Sequence, residues 1–353
     1  MKYLFVVDTF YGGGAGRVTA ELANAFFSTS DVSVCTFGEY KSNYELNKDI
    51  NHIDGSKASR VCGNLFCGRV LFLREIVREK RPDVVISFLT ELNLVTILAC
   101  SKMQCKIVVS ERNDPSKTRK SLSLARKLLY PRADKIVFQT QSIRDYFKGP
   151  ISKKGIVIAN PINPNLPDVY KGKREKKIVM VGRLNKQKNY TLAFDAFASI
   201  VDKIPGYELY VYGDGNSKQE LQNYIIQIKM TKKIHLKGHI SNLFNEIRKA
   251  AVYVMSSDYE GMPNALMEAM ALGIPTISTD HGGGGARTLI SSYNNGILIP
   301  IRDKEALAKA ILLVINNQDL SEKISYNGQK VRLDYSIENI VEKWQNLILS
   351  LWR

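Results

Sequence analysis

The sequence predicts a two-domain α/β protein in which each domain is a doubly wound parallel sheet binding its ligands at the carboxyl ends of the strands. Three observations carry that expectation. Short continuous apolar runs alternate with helical stretches, the pattern of strands buried on both faces. A length of 353 residues is enough for two cores. A break rich in Pro, Asn and charge, Asn160 to Pro167 followed by Lys171 to Lys177, divides the pattern near its middle. The expected division is a first domain 1–160, a linker 161–176, a second domain 177–333 and a terminal amphipathic helix 334–353.

In chain order, Tyr3 to Asp8 reads as a buried strand. The turn after it carries Gly12, Gly13 and Gly14, and a helix with Val18, Leu22, Ala25 and Phe26 on one face follows. A Gly-rich strand-to-helix turn lets backbone approach a phosphate or another domain, though three glycines are also simply a turn. Further strands are expected at Val32–Phe37, Pro82–Phe88, Lys106–Ser110, Ile136–Gln139 and Gly155–Ala159, with a helix over 69–80. Glu111, Arg112, Asn113 and Asp114 fall at a strand's carboxyl end. Arg112 is there a candidate for holding charge on a phosphate or an acceptor, against a plain ion pair with Glu111 or Asp114.

The second domain opens with the strand Lys177–Val181, followed directly by Gly182-Arg183-Leu184-Asn185-Lys186-Gln187-Lys188-Asn189. Arg183 and Lys188 offer one forked and one point cation to a diphosphate. A strand at Glu208–Tyr212 ends in a turn at Gly213, and a strand from Ile234 leads to Gly238, His239 and Ile240. Ala251–Met255 is a strand running into Glu260, Gly261, Met262, Pro263 and Asn264. Pro263 suits the first position of a helix, Asn264 to Leu272, stopped by Gly273 and Pro275. A glycine-containing loop opening a helix directs free N–H groups at one spot, an anion site. Glu268, on the second turn, leans back toward that loop, so Glu260 and Glu268 bracket the spot. Two carboxylates repel a bare phosphate but suit hydroxyl groups on either side of one, the layout of a nucleotide sugar. The alternative is a capped helix with two solvated glutamates.

The string from Glu260 to Pro275, E-G-M-P-N-A-L-M-E-A-M-A-L-G-I-P, resembles the donor-site signature of family 4 glycosyltransferases, retaining enzymes of the GT-B fold. The resemblance runs from the first strand to the last helix. It implies two Rossmann-like domains facing a central cleft, with the acceptor on the first and the nucleotide sugar on the second, and a terminal helix crossing back to the first. It implies that Arg183 and Lys188 hold the diphosphate, Glu260 the sugar hydroxyls, Glu268 the ribose, and His239 and Ile240 the neighbourhood of the base. Front-face attack follows, with the leaving phosphate taking the acceptor's proton and the anomeric configuration kept. The expected reaction moves a hexosyl or N-acetylhexosaminyl group, a UDP-sugar being favoured, to a hydroxyl of a polyprenyl-diphosphate-linked or other glycan acceptor in bacterial surface-glycan synthesis. The chain departs from the family pattern at three places: Gly16 stands where a Glu is usual, Arg112 where a His is common, and Thr288 where a Glu is common, just past Gly282 to Gly285.

No Asp-x-Asp occurs, so no metal and no cofactor is expected; cations and helix N–H groups would neutralise the diphosphate. An epimerase, needing one substrate, and a carbohydrate- or nucleic-acid-binding protein are the competing classes. Five cysteines without histidines at metal spacing read as reduced cytoplasmic thiols. The net charge of +16 concentrates in residues 60–154, which hold 20 Lys and Arg against 8 Asp and Glu. Neither aromatic–basic interleaving nor a helix-turn-helix or zinc pattern accompanies it, so no nucleic-acid partner is expected. No run is apolar enough to span a bilayer. Lys117 to Lys135, where Leu122, Leu124, Leu128 and Leu129 lie among Lys117, Arg119, Lys120, Arg126, Lys127 and Arg132, reads either as a helix lying on the anionic inner face of the cytoplasmic membrane or as a core-packed helix with a solvated basic face.

Overall fold

A run such as Val84–Phe88, buried at all five positions, suits a strand covered on both faces, and strands of this kind form the centre of each half of the chain. The structure, a computed structural model, describes residues 1–10, 14–38, 44–58, 64–291 and 293–352. Its contacts divide the chain into two units, Met1–Pro161 with Ile337–Arg353, and Ile162–Ser336. Most of the Pro- and Asn-rich stretch that composition marks as a linker therefore groups with the second unit, whose first strand begins at Glu175.

The first unit is a seven-stranded parallel sheet of β1 (Lys2–Val7), β2 (Asp31–Thr36), β3 (Asn51–Asp54), β4 (Val84–Phe88), β5 (Lys106–Glu111), β6 (Lys135–Phe138) and β7 (Gly155–Val157). Their order across the sheet is β3-β2-β1-β4-β5-β6-β7, so the winding reverses between β1 and β4. The second is a six-stranded parallel sheet of β8 (Glu175–Val181), β9 (Glu208–Tyr212), β10 (Ile234–Gly238), β11 (Ala250–Met255), β12 (Thr276–Thr279) and β13 (Ile297–Ile299). Its order is β10-β9-β8-β11-β12-β13, with the reversal between β8 and β11. Both are Rossmann-like windings, and each reversal opens a crevice at the carboxyl edge of its sheet.

Aromatic packing anchors the first unit. Phe5 on β1 lies 5.9 Å from Phe26 and stacks on Phe88 at 6.4 Å. The final helix, Ile337–Leu349, buries Ile340, Trp344, Leu347 and Ile348, and Trp344 reaches within 6.0 Å of Phe88. Helical spacing of three and four residues puts those four side chains on one stripe. In the second unit Asp303 caps the helix Lys304–Asn316, its carboxylate accepting from Ala306 N at 2.8 Å.

Some elements differ from the expected ones. The helix expected from residue 69 begins at Leu65, because the Asn64 side chain accepts from Phe66 N and Cys67 N and holds the extra turn. Gly16, where the family resemblance implies a Glu, sits in the helix Gly14–Phe27 with its backbone against the preceding loop: a Cβ there would lie 2.7 Å from Thr9 O. Side chains are excluded at that position by the close approach. The basic segment is a helix, Lys120–Leu129, between single turns at Pro115–Lys117 and Tyr130–Arg132. Leu122 and Leu129 pack on the core, while Leu124 and Leu128 are 60% and 65% exposed. Arg126 does not belong to the basic face: it is 1% exposed and ion-paired to Glu111 at 3.3 Å.

Candidate active site

In a parallel sheet every strand ends at the same edge, so the loops after β8, β9, β10 and β11 collect at one edge of the second unit. The loops after β8 and β11 flank the reversal and are stitched together. Ser256 Oγ donates to the carbonyl oxygens of Lys188 and Asn189, 2.9 Å from each. Asp258 N donates to Gln187 O at 2.9 Å, Gln187 Nε2 returns a bond to Tyr259 O at 2.8 Å, and Asn189 Nδ2 donates to Asp258 Oδ1 at 2.9 Å. Asn189 adopts the left-handed conformation, φ 45°, at the start of the helix Tyr190–Ala198, which turns the loop back toward its partner. Arg302 closes the outer side of this lattice on Asp258 at 2.7 Å.

Inside the lattice Lys188 Nζ lies 2.6 Å from Glu260 Oε1, the two side chains 17% and 13% exposed. Ser257 Oγ donates to the same carboxylate oxygen at 2.9 Å. The cation expected on a diphosphate and the carboxylate expected on sugar hydroxyls are therefore each other's partner. Arg183 is exposed and makes no ion pair among the described residues. One cation is thus held by a carboxylate and one left exposed at the same edge.

Two buried tyrosines lie beneath. Tyr190 donates to Gly182 O at 2.9 Å, and burial, then the charge of Glu260, pushes its phenol well up. Tyr253 on β11 is fully buried, and its hydroxyl has no hydrogen-bond partner among the described residues. Burial, then Tyr190, Glu268 and Glu260, hold it protonated. The charges of both Glu268 and Glu260 thus bear on Tyr253. Tyr190 and Tyr253 carry no signal in the sequence, and Ser256, Ser257 and Asp258 read there only as the turn that leads to Glu260; their part in tying the two loops is seen once the loops are paired.

Pro263 is the N-cap of the helix Asn264–Ala271 rather than its first residue, and Leu266 N and Met267 N donate to its carbonyl oxygen at 3.1 and 3.2 Å. Its ring still fixes the entry angle. Gly261 and Met262 are buried in the loop before it, and Glu268 is half-buried on the helix. Gly285, from the four-glycine run, packs on Gly261 O so closely that a side chain would not fit. Thr288, in the usual place of a Glu, donates to Gly284 O at 2.8 Å and braces that loop. Gly213, φ 136°, is forced to be glycine because a Cβ would overlap the Gly182 carbonyl, and its N–H donates to Gly238 O at 2.9 Å. That bond ties β9 to the loop carrying His239, which is exposed, and Ile240, which is half-buried.

Arg112 and Gly14 lie in the first unit, Arg112 just past β5 and Gly14 at a helix start after β1; Gly13 lies outside the described residues. Arg112 pairs with neither Glu111 nor Asp114. Glu111 accepts from Thr90, Arg126 and Tyr130, and Asp114 caps a turn through Ser116 N. Among the described residues no three His, Cys, Asp or Glu gather where they could hold a metal.

Two parallel sheets, each wound outward from a reversal, give the two Rossmann-like units that the GT-B resemblance implies. Comparison with known proteins names the family. Residues 12–166 match the family described as Glycosyltransferase Family 4, and residues 164–331 match Glycosyl transferases group 1. The chain belongs to the family 4 glycosyltransferases of the GT-B fold. It is 26% identical over 359 residues, 99% of each chain, to the Campylobacter jejuni "GalNAc-alpha-(1->4)-GalNAc-alpha-(1->3)-diNAcBac-PP-undecaprenol alpha-1,4-N-acetyl-D-galactosaminyltransferase". It is also 26% identical, over 91% of each chain, to the N-acetylgalactosamine-N,N'-diacetylbacillosaminyl-diphospho-undecaprenol 4-alpha-N-acetylgalactosaminyltransferase of the same organism. Among solved structures, Anabaena HepE in complex with UDP superimposes with a TM-score of 0.80 at 17% identity over 99% of this chain and 100% of that one. Sucrose-phosphate synthase of Thermosynechococcus elongatus gives 0.84 at 16% over 99% of each.

Because the Lys188–Glu260 pair is mostly buried, removing either partner strands the other. Lys188→Ala and Glu260→Ala should each destabilise the second unit, and the double variant by less than their sum, with a coupling of about 1–3 kcal/mol. Chemical denaturation of the four proteins measures it, and strict additivity would show that the pair does not hold the loops.

Proposed function

We propose that this glycosyltransferase takes its sugar from a nucleotide sugar bound at the carboxyl edge of the second sheet and passes it, with retention, to a hydroxyl of a lipid-linked glycan. The carrying observation is the Lys188–Glu260 pair held between the two loops at the β8/β11 reversal, beside exposed Arg183 and the N-terminus of the helix Asn264–Ala271. Lys188, Arg183 and the helix dipole stabilise charge growing on the departing diphosphate. Glu260 orients the sugar hydroxyls, fixed by Ser257 and Lys188; Glu268 accepts from the ribose. The bond from the anomeric carbon to the phosphate oxygen breaks, the bond to the acceptor oxygen forms on the same face, and the acceptor's proton goes to the departing phosphate. With two cations and a helix terminus in place, no divalent ion is needed. The galactosaminyltransferases named above act on undecaprenol-diphosphate glycans, and whole-length similarity to them supports an N-acetylhexosaminyl group and an acceptor of that class; the UDP bound by the fold neighbour HepE favours a UDP-sugar as donor.

The test is release of nucleoside diphosphate from a panel of UDP- and GDP-sugars, with and without a polyprenyl-diphosphate glycan. Release should depend on the acceptor, which an epimerase or a binder would not show, and should persist in EDTA. Glu268→Ala should raise donor KM about tenfold, while Glu260→Ala mainly lowers kcat. Activity abolished by chelation and restored by Mg²⁺ or Mn²⁺ would refute the metal-free account; unchanged kinetics in both variants would refute the site.

The proposal extends to location: an enzyme that works on a lipid-linked acceptor would act at the inner face of the cytoplasmic membrane. Among the described residues no helix is long and apolar enough to cross it. Attachment through the helix Lys120–Leu129 is supported by its outer face, where Lys120, Leu124, Lys127 and Leu128 recur at helical spacing, all exposed. A hollow beside it is lined by Lys127, Tyr146, Phe147, Lys148 and Ile151. Each Lys or Arg near an anionic surface contributes roughly 1 kcal/mol. The protein should sediment with anionic vesicles, come off in moderate salt, and lose this binding when Lys117, Arg119, Lys120 and Lys127 become Gln. Equal partition onto neutral vesicles, or none onto either, removes the membrane claim.

A further inference from the structure

Arg112 stands at the carboxyl edge of the first sheet in an environment that leaves part of its charge unanswered. Its guanidinium lies over the Phe88 ring, 4.7 Å from the centroid, and Nη1 donates to Asn160 Oδ1. Gln139 Nε2 donates to the same Asn160 oxygen at 2.8 Å, so that anchor is itself held. Nε and Nη2, which share the remaining edge of the guanidinium, are buried and have no hydrogen-bond partner among the described residues. An edge of two parallel N–H groups is the fork that matches two oxygens of a phosphate or carboxylate.

Among the described residues no acidic side chain pairs with Arg112, and Glu111 and Asp114 are committed elsewhere. Its charged neighbour is another cation, Arg17, which pairs with Glu21 at 2.8 Å and donates to Pro161 O at 2.9 Å. Both arginines thus reach the Asn160–Pro161 segment. Burial, then the charge of Arg17, pushes Arg112 down to about 9. Arg112 is half-buried as a residue, but with Nε and Nη2 shut off from solvent beside a second cation its charge is costly to leave unpaired, and a water molecule does not cancel it. The position is also a winding reversal. Phe88 ends β4, Arg112 follows β5, and Arg17 lies on the helix following β1, so the open edge sits by the β1/β4 crevice where open sheets take ligands.

We propose that the Nε/Nη2 edge of Arg112 is a phosphate clamp, with Phe88 and Asn160 fixing its plane and Arg17 adding charge, and that the phosphate belongs to the acceptor. This rests on the transferase reading above and names what the acceptor must carry: a phosphoryl group, such as the diphosphate of a lipid-linked glycan. The donor's diphosphate offers the same chemistry, and the experiment separates the two sources.

Inorganic pyrophosphate is the probe, titrated into the full-length protein by calorimetry and thermal shift, alone and with saturating UDP or GDP. Pyrophosphate should bind the wild type even when nucleotide is saturating. Arg112→Gln and Arg112→Lys should each weaken that binding at least tenfold, Lys because it keeps the charge but lacks the fork. Without ligand, Arg112→Gln should melt no lower than the wild type, since an uncompensated buried charge is gone. Unchanged pyrophosphate affinity in Arg112→Gln overturns the clamp. Loss of Arg112-dependent binding under saturating nucleotide overturns the acceptor assignment in favour of the donor. A lower melting temperature in Arg112→Gln, with no pyrophosphate effect on either protein, makes the residue structural and overturns the proposal. If neither nucleotide shifts the melting temperature, it is the donor-site reading that fails, and the Arg112 comparison is still read from the pyrophosphate titration alone.

Discussion

Everything chemical in this protein follows from one constraint on parallel sheets: all strands end at one edge, and the winding must reverse somewhere along it. In the second unit the reversal falls between β8 and β11, so the two loops that leave the sheet there diverge and must be tied across the gap. Ser256, Gln187, Asn189 and Asp258 do the tying. Lys188 and Glu260 occupy the space so defined, and their mutual pairing keeps both charges satisfied in a site shielded from water.

The same constraint in the first unit is met differently. There the edge is crossed by aromatic and cationic groups, with Phe88 under Arg112 and Arg17 close by. Where the second unit balances its cation with a carboxylate, the first leaves one fork of Arg112 without a partner among the described residues. Buried charge is expensive, so a fold that keeps it uncompensated has a use for the field it creates.

Much of this could be read from residues alone, and the reasons differ by element. The apolar runs of β1, β4 and β5 and the Asp303 cap stand out because each obeys a local rule. β3 does not: Asn51–Asp54 is a short, polar edge strand with no apolar run to betray it. The helix Thr90–Ala99 is buried on most sides, so it carries little periodicity. Arg126 counts in the sequence as one more surface cation, and only the turn of the helix toward Glu111 makes it an interior residue. At the site, the string from Glu260 to Glu268 was legible as a loop and helix with two carboxylates. That Glu260 meets Lys188, some seventy residues earlier, depends on which strands neighbour each other. Gly16 was legible as a departure, and its cause, the backbone of Thr9 and Phe10 against the helix, is a tertiary contact.

The most direct test of the central claim, a nucleotide sugar held at the β8/β11 reversal, is amide hydrogen exchange with and without nucleoside diphosphate. Added UDP or GDP should slow exchange in 182–189, 256–265 and the turn at Gly213, leaving the far edge of the second sheet near β13 unchanged. Protection confined to the first unit, or none at nucleotide concentrations that shift the melting temperature, would contradict the account.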